Sequence, residues 1–188
     1  MASWDDDDFY QTSFAIDKSR RYHAKMQSFY QSWSDLTNIL VALAGLGAFL
    51  ALFGGKDSTL AQYFVGSVTV LSTIGSKLGP AKKARLHADL SRRFTDLAGD
   101  VAMMDATPNN LRKVKGARLR IEKDELPVRR LIDFVARNEE LRARGRPENE
   151  IAPLTRAQRA LGYCATFGLS SIDAWNAKRE AAQETAWK

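Results

Sequence analysis

Catalysis or metal binding needs converging polar groups, and this 188-residue chain supplies few. His23 and His87 lie on opposite flanks of two uncharged runs, with no third ligand at a metal-binding spacing. Surface or interfacial roles therefore outrank metal or proton chemistry for both. The order His87-Ala88-Asp89 matches no catalytic spacing. Cys164, the single cysteine, excludes an intrachain disulfide and a thiolate-only metal cluster, and with no motif around it reads as a small core residue in a reducing compartment. The acids Asp5 to Asp8 sit at a chain end with no fixed coordination geometry, so they read as a solvated tail. Neither GxxxxGK[ST] nor GxGxxG occurs, and Gly45 and Gly47 belong to an apolar run with no phosphate-binding context. No catalytic residue, cofactor site or metal site is expected, and the chain does not read as an enzyme.

A different constellation is more informative. Gln62, Gly66, Thr69, Thr73 and Ser76 follow one another at steps of 4, 3, 4 and 3, so a helix would gather them into one stripe of small and polar side chains. Such a stripe is wasted against lipid; it should face another helix or water. Ala44, Gly47, Ala48 and Ala51, at offsets 0, 3, 4 and 7, form a small-residue face that permits close helix contact. Together they suggest an oligomer of hairpins in which the first helix packs and the second lines a polar path. The plainer alternative is that both stripes only hold two helices together.

The elements that would carry these stripes are two uncharged segments. Leu36 to Gly55 has 20 residues without a charge, and as a helix rising about 1.5 Å per residue it matches the hydrocarbon thickness of a bilayer. Ser58 to Ser76 is also uncharged over 19 residues, but eight are Ser, Thr or Gln. Its short separation from the first segment is what makes it the returning half of a hairpin. A hydrophobic share of 45% beside a charged share of 27% is ordinary for a soluble protein, so only such local windows can decide.

Charge placement gives a second line of argument. Lys18, Arg20, Arg21 and Lys25 precede the first segment, Lys77, Lys82, Lys83, Arg85, Arg92 and Arg93 follow the second, and only Lys56 lies between them. This sorting fits the positive-inside rule with both termini cytoplasmic, and a soluble fold offers no obvious reason for it. Phe29, Tyr30 and Trp33, which lead into the first segment on one face with Tyr22 and Met26, suit a headgroup-level belt, as do Lys77, Lys82, Lys83 and Arg85 after the second. Packing against cytoplasmic helices is an equal use for the aromatic residues. The acidic N-terminus carries no secretory signal, so insertion would use internal segments.

Beyond Gly79-Pro80, which should break or bend the helix, Leu86, Leu90, Phe94, Leu97, Val101 and Met104 predict an amphipathic helix. Thr107 is an N-cap candidate before Pro108, with Leu111, Val114, Arg118 and Ile121 on the face that follows. Pro127 should start a helix bearing Val128, Leu131, Ile132 and Val135, and Thr155 should open a last short one. The basic runs KKAR, RKVKGARLR and VRR belong to no nucleic-acid recognition module, and membrane apposition accounts for many of them, so nucleic acid is not an expected partner.

The expected architecture is all-α: a two-helix transmembrane hairpin with a helical cytoplasmic domain. Residues 1–12 form an acidic tail, 13–79 an amphipathic entry helix and the hairpin, with spans at about 36–55 and 58–76. Residues 80–167 form the helical cytoplasmic domain and 168–188 a polar tail with Trp175 and Trp187 as its large anchors.

The succession SRRYHAKMQSFYQSW, an apolar hairpin, the basic helix GPAKKARLHADLSRRF and a helical remainder resembles the SLATT family, the two-transmembrane effectors associated with SMODS nucleotidyltransferases and SLOG domains. The resemblance covers roughly residues 13–145. It implies an oligomeric, pore-forming effector in the bacterial inner membrane, serving a conflict or antiphage system. The chain carries no recognisable synthetase or SLOG sensor, so a cytoplasmic protein or a nucleotide cue would have to come from elsewhere. A non-conducting membrane scaffold whose basic helical domain recruits a partner, and a soluble all-helical binding protein, are the competing readings.

Overall fold

A computed structural model describes residues 4–53 and 58–186, and the chain is all-helical, with no strand among the described residues. Helix α1 spans Trp4–Phe53, α2 Ser58–Leu78, α3 Pro80–Ala102, α4 Pro108–Glu122, α5 Arg130–Ala143, α6 Arg156–Leu161 and α7 Leu169–Ala186, with a single 3-10 turn at Glu148–Glu150. Contacts divide the chain into two compact units, one of residues 1–25 and 88–188, the other of residues 26–87.

The larger unit is built on the amphipathic patterns read above. Leu90, Phe94, Leu97 and Val101 of α3 are buried, as are Leu111, Val114 and Ile121 of α4 and Leu131, Ile132 and Ala136 of α5. Each large apolar side chain so buried contributes about 1.5–3 kcal/mol relative to exposure. Thr107 caps α4 by accepting from the Asn110 amide at 3.3 Å, with Pro108 in the first turn, where its missing N–H costs nothing. Thr155 and Gln158 form a reciprocal capping box at the start of α6. Asn138 is buried and clamps the loop after α5 through both polar atoms, donating to the Ala152 carbonyl at 2.8 Å and accepting from the Ala152 amide at 2.9 Å.

Ion pairs join the first helix of this unit to α5. Glu140, almost fully buried, accepts from Arg21 Nε at 2.7 Å and Arg144 Nε at 2.6 Å. Arg144 also reaches Asp17 at 2.9 Å, Lys18 pairs with Asp133 at 2.8 Å, and Lys25 with Glu139 at 2.6 Å. Burial by itself would raise the Glu140 pKa, but the hydrogen bonds from Arg144 and Arg21 outweigh it and hold the carboxyl below the usual range.

Several expectations are corrected. The acidic N-terminus is helical from Trp4 onward rather than a tail, and Asp8 pairs with Lys115 at 3.0 Å. Residues after Gly168 form α7, so the helix opened by Thr155 is not the last, and Trp175 packs against the core of Leu131, Ala152, Leu154 and Ile172. Trp187 lies outside the described residues. Helix α5 starts at Arg130, three positions beyond Pro127, which leaves Val128 exposed in the connection. Cys164 is exposed rather than a core residue.

The histidines also differ from expectation, being buried at 1% exposure for His23 and 2% for His87. His23 lies 3.1 Å from the Glu125 carboxylate and stacks on the Phe94 ring at 5.5 Å. Among the described residues no three metal-ligating side chains converge.

Candidate functional site

The smaller unit contains the end of α1 from Met26, all of α2 and the start of α3 to His87. Two close approaches define how its first two helices meet. A Cβ placed on Gly47 would lie 2.7 Å from two ring carbons of Phe64, and one on Gly75 would lie 3.0 Å from the Thr37 methyl group. Moving ten residues along α1, from Thr37 to Gly47, moves eleven residues back along α2, from Gly75 to Phe64, so the helices pack antiparallel. Glycine at these two positions removes the side chain that would hold the backbones apart.

Of the expected small-residue face, Ala48 is buried, Ala44 and Gly47 are half-buried, and the Ala51 side chain lies outside the described residues. The polar stripe of α2 is placed differently. Phe64 and Gly75 sit roughly 200° around the helix from Gln62, at about 100° per residue. Accordingly Gln62, Gly66, Thr69 and Thr73 are all exposed, and a Cβ on Gly66 would meet nothing within 4 Å. The stripe therefore does not hold α2 to α1 within one chain, which removes one of its two sequence readings at that level. The Ser76 side chain lies outside the described residues. Thr69 donates to the Val65 carbonyl at 3.0 Å and Thr73 to the Thr69 carbonyl at 2.7 Å, so these hydroxyl protons are satisfied inside the helix.

Apolar side chains dominate the remaining surface of the pair. Leu36, Ile39, Leu43, Leu46, Phe49 and Leu50 of α1 are each more than half exposed, as are Val65 and Val70 of α2. Among the described residues one helix, α1, is long and apolar enough to cross a membrane, over Asp7–Leu50, and only 11% of its apolar window is buried inside the protein. A helix belonging to a soluble core would bury most of that window.

At the base of the pair the expected interface residues come together. Phe29 packs edge-on to Tyr30 with ring centroids 5.3 Å apart and lies 6.3 Å from Trp33, which is 40% exposed. Tyr30 stacks on the buried His87 at 5.6 Å with its ring plane within 10°, and Lys83 Nζ sits 5.5 Å over the same ring. Lys83 and His87, four residues apart on α3, thus grip one aromatic ring of α1. Gly79, in the left-handed region at φ 55°, turns the chain from α2 into α3, with Pro80 buried immediately after it.

The basic residues divide by use. Lys18, Arg20, Arg21 and Lys25 all pair with carboxylates of the larger unit, so the N-terminal half of the charge sorting has a structural purpose that the sequence reading lacked. Lys77, Lys82 and Arg85 are exposed and make no ion pair among the described residues. Lys56 lies outside the described residues. Comparison of the chain with models of known protein families, with curated proteins and with solved structures finds no match.

Proposed function

We propose that this protein is an oligomeric integral-membrane effector in which α1 and α2 form a transmembrane hairpin, with both termini on the cytoplasmic side of a bacterial inner membrane. The observation that carries this reading is the pairing of an uncovered apolar surface with a polar stripe that α1 does not use. A lipid bilayer would cover the leucines and valines, and neighbouring hairpins would bring the stripes of Gln62, Gly66, Thr69, Thr73 and Ser76 together. The exposed side chains of Thr69, Thr73 and Gln62 would then face a shared polar path, and opening of that path would dissipate ion gradients.

The arrangement of an antiparallel helix pair followed by a basic helix and a helical remainder also accords with the resemblance to SLATT effectors, which would give the larger unit the task of receiving a cue. Exposed Lys77, Lys82 and Arg85 are suitably placed along the chain to meet anionic headgroups, each worth about 1 kcal/mol near such a surface. A non-conducting scaffold is the second reading, favoured by the internal hydrogen bonds that already occupy the threonine hydroxyl protons.

Inducible expression of the full chain in bacteria loaded with a membrane-potential dye separates the two. The effector reading expects depolarisation and arrested growth, whereas normal potential at high membrane levels, with the neighbouring genes also expressed, contradicts it and leaves the scaffold.

A further inference from the structure

The larger unit contains a cavity of about 390 Å³ lined by residues of α1, α5, the connection after α5 with its 3-10 turn, and α7, among them Tyr10, Arg137, Arg146, Glu150 and Arg179. Three guanidinium groups and a single carboxylate make an unbalanced set. The carboxylate is already used: Glu150 takes Arg146 on both oxygens, at 2.8 and 2.9 Å. Arg137 and Arg179 are left with no carboxylate in ion-pair range among the described residues.

The two remaining cations line the same cavity and each lies against one aromatic ring. Arg137 sits 5.9 Å and Arg179 5.4 Å from the centre of Trp175, which anchors α7 to the core. Arg137 donates to the Glu150 carbonyl at 3.1 Å, while Arg179 Nε is buried without a hydrogen-bond partner among the described residues. An orphaned buried donor costs about 1–3 kcal/mol. Arg137 titrates below its ordinary value, first because it is buried and next because the charge of Arg179 opposes its own. Two like charges lining one cavity oppose each other, and an anion that reached both would offset that repulsion.

From this we infer that the Arg137–Arg179 cavity is a binding site for a phosphate dianion, as carried by a phosphomonoester or a diphosphate. Two uncompensated guanidinium forks match the geometry and the charge of about −2 of such a group better than those of a single carboxylate. The volume admits a small ligand rather than a polymer. Tyr10 and Phe14 add no free stacking face on the side covered by the Arg144 guanidinium, 4.9 and 5.3 Å from their centres, so recognition centres on the phosphate. The inference is independent of whether the hairpin conducts.

The test uses the full chain in phosphatidylcholine nanodiscs and titration calorimetry with inorganic pyrophosphate, beside parallel nanodiscs containing phosphatidic acid. Saturable pyrophosphate binding, weakened at least tenfold by Arg137→Gln and by Arg179→Gln but far less by Arg146→Gln, supports a soluble phosphate ligand. Binding that appears only as a shift of thermal unfolding in phosphatidic acid discs, lost in the same two variants, supports a lipid phosphomonoester. Absence of both effects in the wild-type protein overturns the inference, and so does pyrophosphate binding that both Gln variants retain. Arg179→Lys, which keeps charge and packing but loses the fork, is the folding control; it should retain the helical circular dichroism of the wild type and bind at least threefold more weakly, and undiminished binding would contradict the site.

Discussion

Gly47 of α1 faces the ring of Phe64 on α2 so closely that any Cβ at position 47 would come within 2.7 Å of it. Gly45 and Gly66 have open space where a Cβ would go. Gly47→Leu should therefore lower the thermal unfolding temperature of the purified protein, at a cost of about 1–3 kcal/mol from overpacking. Gly45→Ala and Gly66→Ala should be neutral or stabilising by up to about 1 kcal/mol, since alanine is the better helix former. Equal losses at all three positions would mean that the helix pair is not packed as described.

The turn from α2 into α3 depends on backbone conformation rather than on space. A Cβ on Gly79 would meet only the Lys82 Cβ, at 4.0 Å, yet φ is +55°. Gly79→Ala should cost about 1–2 kcal/mol, and Gly79→Asn clearly less, because asparagine tolerates the left-handed region. Thermal unfolding of the two variants side by side checks this ordering.

Glu140 makes the stability of the larger unit depend on acid pH. Its carboxyl pKa is lowered in the folded protein, burial opposing and the Arg144 and Arg21 hydrogen bonds prevailing. A depressed carboxylate pKa gives stabilisation that is complete above the ordinary carboxylate range and lost as the pH falls through the folded value. Glu140→Gln should destabilise the protein at neutral pH by about 2–3 kcal/mol, and the gap to wild type should close on acidification. A gap that stays constant with pH would place the effect elsewhere.

For the polar stripe, Thr69→Leu together with Thr73→Leu removes two outward-facing oxygens while leaving the Phe64 and Gly75 contacts untouched. Under the pore reading, depolarisation should fall at least tenfold with membrane levels unchanged. Unaltered depolarisation would assign the stripe to packing between copies.

Much of the fold was legible because periodicity reports burial directly. The steps from Leu90 to Val101 marked the buried face of α3, and Thr107 and Thr155 marked helix starts through capping chemistry that acts locally. What was not legible depended on partners distant in sequence. Nothing near Lys18, Arg21 or Lys25 announces Asp133, Glu140 or Glu139, so bases read as topological signals turned out to be ion-paired across more than 100 positions. His23 and His87 hid for the same reason, since ring stacking on Phe94 and Tyr30 has no sequence signature. The small-residue face of α1 and the polar stripe of α2 were visible as helical spacings, but it takes the approaches of Phe64 to Gly47 and of Thr37 to Gly75 to show that the stripe points away from α1. Arg137 and Arg179 left no trace as a pair, because their proximity arises from the packing of α7 through Trp175.

The central claim, that the α1–α2 pair resides in a bilayer, is tested most directly by alkaline carbonate extraction of membranes from cells expressing the full chain. Retention in the membrane pellet, with release only by detergent, is the result expected. Complete release into the carbonate supernatant would contradict it and return the exposed leucines of α1 to an interface between soluble copies.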